Sequence, residues 1–91
     1  MLRERLTKDR AETIALKALA SLAAEPEEIE RFLGASGLDI ADLREKAGDP
    51  DLLRSVLDFV LADDARVTAL CQELDIKPVD IHTANHILGQ P

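Results

Sequence analysis

Apolar residues recur at helical spacing along almost the whole chain, and no stretch sustains a period-two alternation. Ala11, Ile14, Ala15, Ala18, Leu19 and Leu22 make one stripe, widened by Leu16, Ala20 and Ala23. It predicts a first helix from about Lys8 to Ala24, with Asp9 and Glu12 placed for a capping box. So many alanines predict a helix that its neighbours approach closely. Pro26, Pro50 and Pro78 each suit a first helical position, where the missing N–H is no loss, and an acid follows each within two residues. Further helices are predicted over about 26–35, 39–47, 50–62 and 78–88. Gly37, Gly48 and Gly89 stand where a left-handed residue ends a helix.

The run "DLLRSVLDFVLADDARVTALCQELD" holds two stripes, one of Leu53, Val56, Leu57 and Val60, the other of Val67, Leu70, Cys71 and Leu74. In one unbroken helix, Asp63 and Asp64 would lie close to the apolar stripe, and two buried, unpaired carboxylates cost far more than a turn. The chain is therefore expected to break near 62–64, with one Asp capping a fifth helix. Asp58 falls on the polar side with Asp51 and Arg54, and pairing with Arg54 at i, i+4 is expected. Helix 50–62 should be central, because Leu52, Leu53, Val56, Leu57, Phe59, Val60 and Leu61 leave it a narrow polar strip. There is also an internal echo. "LDIADLREKA" (38–47) resembles "IKPVDIHTAN" (76–85), with Leu38/Ile76, Asp42/Asp80 and Leu43/Ile81 in register. Two copies do not make a solenoid, and one joint used twice is the simpler reading.

Composition narrows this to an economical aliphatic globule. A 91-residue chain allows one domain, which buries only about 60–65% of its unfolded surface. Hydrophobic residues are 46% and charged residues 32%, enough for a core and its covering; aromatics are 2%, Phe32 and Phe59 alone. Stacking platforms for single-stranded nucleic acid are therefore missing. The single Cys71 excludes an intrachain disulfide and any multi-cysteine zinc site, which fits a reducing, cytoplasmic setting. The N-terminal "ASLAA" could pass for a processing site, but Lys17 interrupts the apolar run and Glu4, Asp9 and Glu12 break up the basic region. An ordinary helix is the better reading, preceded by a flexible arm over 1–7; the helical domain spans 8–89 and a tail 90–91. No stretch approaches the roughly 20 apolar residues needed to span a bilayer.

Charge matters more than composition for partners. The net charge is −7, divided as +2 over residues 1–17 and −9 over 18–91. Such a body repels phosphate backbones and anionic lipid and favours basic partners. This bears on residues 26–47, which have the outline of a helix-turn-helix. Gly37 and Leu43 fit such a joint, but Leu33 is bulky where a small residue is usual, and Asp39, Asp42 and Glu45 would face phosphates with only Arg44 and Lys46 to offset them. The joint is expected to be structural, an elbow in which Leu38, Ile40 and Leu43 seat a short helix on the core.

His82 and His86, at i, i+4, are weak candidates for a metal. A zincin would need Glu at 83, where this chain has Thr83, and two histidines are an incomplete site even if Asp80 or Asp75 added an oxygen. Surface or half-buried histidines are the plainer reading. Cys71, on a stripe with Val67, Leu70 and Leu74, reads as a small core residue. No phosphate loop, serine elbow or dinucleotide fingerprint occurs, so no catalytic residue, cofactor or enzymatic activity is expected.

The order of pieces does resemble a known family. The resemblance runs through Ala15–Leu19, Pro26, "RFL" (31–33), "GL" (37–38), "DLR" (42–44), "DP" (49–50), "VLDFVLADD" (56–64) and the closing "ILGQP". It covers the chain from about residue 11 to the end. The family is a small, mostly alphaproteobacterial group of helical proteins, the domain of unknown function numbered 3572. It implies an all-helical domain and supplies no activity, cofactor or site residue. This chain has Leu88-Gly89-Gln90 where the family tends toward Leu-Pro-Gly, and His82 and His86 match no feature of it.

The expected architecture is all-α, a compact single-domain bundle of five or six short helices. The expected function is a cytoplasmic protein-interaction or adaptor module, with a protein partner or self-association and neither nucleic acid nor membrane. The alternatives are a DNA-associated regulator using the 26–47 joint, and metal or small-molecule binding near the C-terminal helix.

Overall fold

Helix starts in this chain are set by short polar side chains and prolines, and the computed structural model, which describes residues 6–90, shows six of them. The helices are α1 (Lys8–Ala23), α2 (Pro26–Ser36), α3 (Ile40–Lys46), α4 (Pro50–Leu61), α5 (Asp64–Leu74) and α6 (Pro78–Leu88), with no strand among the described residues. Pro26, Pro50 and Pro78 begin their helices as expected. Asp49 caps α4 by accepting the Asp51 N–H at 2.9 Å. The break at 62–64 is present: Asp63 accepts the Ala65 N–H at 2.8 Å and caps α5.

Three details of the ends differ from expectation. The cap of α1 is Thr7, whose hydroxyl accepts the Arg10 N–H at 3.1 Å, so Asp9 lies inside the first turn and forms no box with Glu12. Of the arm expected over 1–7, residues 1–5 lie outside the described residues, while Leu6 packs against the core and Thr7 is a cap. Gly37 takes the left-handed conformation (φ 76°), but Gly48 does not and Gly89 is right-handed (φ −84°). Asp75 (φ 54°) ends α5 instead, its N–H and that of Ile76 both reaching the Cys71 carbonyl. Aspartate tolerates that region better than most residues.

The core is wholly apolar. Helices α1, α4 and α6 pack pairwise on one another, and α2 and α5 lie against α1 and α4. The six positions of the first stripe are buried, with Ala11, Ala15 and Ala18 letting its neighbours close in, but Leu16, Ala20 and Ala23, expected to widen it, face outward and are exposed. Helix α4 is central and buries Leu52, Leu53, Val56, Leu57 and Val60, with Phe59 and Leu61 half-buried beside them. Ile81, Ala84 and Leu88 complete the core from α6. No helix is long and apolar enough to cross a membrane among the described residues.

The internal echo has a physical basis. Asp42 accepts the Asp39 N–H at 3.2 Å, and Asp80, its counterpart, accepts the Lys77 N–H at 3.0 Å. Each acid sits three residues into its helix and satisfies a donor at the start. The apolar halves then diverge, since Ile81 is fully buried and Leu43 only half.

Candidate functional site

The 26–47 joint is an elbow with its acids turned on itself. Asp39 accepts the Asp42 N–H at 2.8 Å while Asp42 returns the favour, a reciprocal capping box at the start of α3. The acids that a DNA backbone would meet first are those that hold the helix together. Leu38 and Leu43 are half-buried against the core, but Ile40 is 48% exposed, so the expected seating by all three is only partly formed. Helix α3 buries no residue completely.

A different corner gathers the polar and aromatic chemistry. The rings of Phe32 (α2) and Phe59 (α4) meet edge to face, centroids 5.6 Å apart at 69°. Arg66 of α5 lies over the Phe59 ring, its Cζ 4.1 Å from the centroid. Its guanidinium grips Glu28 of α2 with two bonds, Nε to Oε1 at 2.8 Å and Nη2 to Oε2 at 3.1 Å, and reaches Asp63 at 3.4 Å. The planar fork suits a carboxylate at its edge and an aromatic ring against its face. The bond to Arg66 holds the Glu28 carboxyl below the usual carboxylate range despite partial burial, and the same bond raises Arg66. These two groups are committed to each other.

Beside this clamp the surface opens into a groove between α2 and α4. A recess of about 340 Å³ is lined by Phe32, Ala35, Ser36, Ser55, Asp58, Phe59 and Ala62. A second, of about 230 Å³, shares Ser36 and Ser55 with it and continues past Leu38, Lys46, Asp49, Asp51 and Leu52. At one end Phe59 is half-buried and backed by Phe32, which is only 1% exposed, with alanines and serines flanking them.

Asp58 is exposed, as expected, but does not pair with Arg54. Its Oδ1 accepts a bond from Asn85 Nδ2 of α6 at 2.8 Å. Arg54 turns instead to the end of α6, so close that a Cβ on Gly89 would lie 3.0 Å from Arg54 Cζ. There a guanidinium meets the negative end of the helix dipole. Gly89 thus gives room to a side chain rather than adopting an unusual backbone.

The remaining candidates stay apart. His82 and His86 are both exposed, and His86 Nε2 lies 3.2 Å from the Gln90 side-chain nitrogen. Among the described residues no three His, Cys, Asp or Glu side chains come together as a metal site. Cys71 is half-buried against the core, and burial, then the charge of Asp80, pushes its thiol up, away from a reactive thiolate. Arg66 was not singled out by sequence reasoning. Its i, i+3 relation to Asp63 is a local signal, but Glu28 lies 38 residues away with nothing to link them.

The family model described as "Protein of unknown function (DUF3572)" matches residues 8–91, and the chain belongs to that family. No curated protein and no solved structure matches it.

Proposed function

We propose that this member of the DUF3572 family is a protein-interaction module that works by binding rather than by catalysis, and that its contact surface is the groove between α2 and α4. The observation that carries this reading is the open groove, formed by two recesses that share Ser36 and Ser55, with half-buried Phe59 at one end backed by the buried Phe32 ring and small side chains along its border. An aromatic ring left partly uncovered in a chain with only two aromatics is a natural anchor point for a partner. The chemistry elsewhere supports binding over catalysis. Glu28 and Arg66 neutralise each other, and Cys71 is held as the thiol. Acids at the start of α3 and a charge of −7 disfavour a nucleic-acid partner. The lone cysteine fits a reducing cytoplasm.

A photo-crosslinking residue placed at Ser36 or at Gln72, an exposed position on α5, tests the reading in the native host. Protein adducts from position 36 and none from 72 are expected. Equal adducts from both positions, or none from either, would overturn it.

A further inference from the structure

We infer that the groove between α2 and α4 receives a basic amphipathic helix of a partner protein, about three turns long. This rests on the reading of the groove as a protein-binding surface and adds the partner's chemistry. The recess extends along α4 from Asp51 to Ala62, which is roughly 16 Å at a helical rise of about 1.5 Å per residue. A partner helix of equal length presents apolar side chains at i, i+3 or i+4, and i+7, and can set one of them against the uncovered part of Phe59, which the buried Phe32 ring backs. Ala35, Ser36, Ser55 and Ala62 are short enough for a helix backbone to come close.

Charge complementarity selects the partner's sign. Among the described residues, Asp49, Asp51 and Asp58 line the groove against Lys46 as the single cation. Asp49 and Asp51 also serve the start of α4, but Asp58 lies within the helix and has no such duty. Its nearest cation along the helix, Arg54, is turned to the end of α6, and its one hydrogen-bond partner, Asn85, is neutral. Among the described residues the Asp58 charge is therefore left without a cation at the groove's edge. A lysine or arginine on the flank of a docked helix would neutralise it. A second copy of this chain would bring another net −7 toward the same acids, and nucleic acid would bring phosphates, so both are disfavoured.

Two synthetic peptides of about fourteen residues test this, alike in their leucines at i, i+3 and i+7. One carries lysines on the flanks of the apolar stripe and the other glutamates. Titrated into isotope-labelled protein, the lysine peptide should shift the amides of Ala35, Ser36, Ser55, Phe59 and Ala62, and high salt should weaken it. Asp58→Asn keeps an acceptor for Asn85, and together with Asp51→Lys it should weaken that peptide about three- to tenfold without unfolding the protein. Equal binding of both peptides, or of neither while the Ser36 crosslink still forms, overturns the basic helix and leaves the protein-binding groove standing. Loss of the Ser36 crosslink as well removes both. The same amide shifts on raising protein concentration alone, with a doubled mass in sedimentation, overturn the basic helix in favour of a second copy.

Discussion

Helices α1, α4 and α6 bury fourteen apolar side chains between them, whereas α2, α3 and α5 bury two, Phe32 and Leu70. The first group is held by area, through alanine and branched aliphatic side chains in close contact. The second is held by points: the Arg66–Glu28 fork, the Phe32–Phe59 pair and a set of caps. Apolar burial is non-directional and tolerates little loss of volume, while point contacts fail one at a time. The groove lies along the boundary, with its α4 wall rooted in the core and its α2 wall hung from it. A molecule built this way can lose a point contact of α2, α3 or α5 while α1, α4 and α6 keep their packing.

The strongest attack on this contrast is Leu57→Ala. Leu57 is fully buried at the centre of α4, and the substitution should cost about 2–5 kcal/mol and lower the denaturant midpoint for every helix together. A loss confined to α2 and α3 would break the comparison. Glu28→Gln ranks next, at about 1 kcal/mol, because the fork is partly exposed. It should also flatten the acid limb of stability. The folded Glu28 carboxyl ionises below its unfolded value of about 4.3, so its contribution is full above that value and is lost as pH falls through the folded one. Urea titrations at several pH values would show whether the slope changes. Asp63→Ala removes the cap of α5 and should cost about 1 kcal/mol. Circular dichroism during urea unfolding measures that loss. Ile40→Ala should change stability by less than about 0.5 kcal/mol, since the side chain is largely exposed. Hydrogen exchange sharpens the same contrast, with amides in α3 expected to exchange first and those of α1 and α4 last.

Half of this arrangement is readable in the chain itself. Stripes that repeat with helical spacing declare α1 and α4, and their buried residues are those the spacing selects. Asp63 is readable because one long helix would have brought acids against an apolar face. The family, too, is legible from its motif order, and its model covers residues 8–91. What escapes is contact at long range. Arg54 had two partners to choose from, and the sequence-local one, Asp58, loses to the end of α6. Asp58 then bonds Asn85, 27 residues away. The groove is the sharpest case, because Phe32 is a core residue and Phe59 packs against the core, and the open edge beside Phe59 arises only where α2 and α4 meet. Left-handed ends are half readable: glycine marks the position at Gly37, while Asp75 does the same with a side chain that tolerates the region but does not announce it as glycine does.

The meeting of the two phenyl rings has a consequence for how this molecule can be watched. With no tryptophan and no tyrosine, Phe32 and Phe59 are its sources of near-ultraviolet aromatic signal, and both stand at the groove. Ala35 and Ala62 line the same recess as the two rings, while α1 and α6 contribute no aromatic side chain. Fluorescence from a bound tryptophan-bearing peptide would rise from a dark background. The protein thus carries a native reporter of the α2–α4 junction, where the buried Phe32 joins the core to the Phe59 edge of the groove.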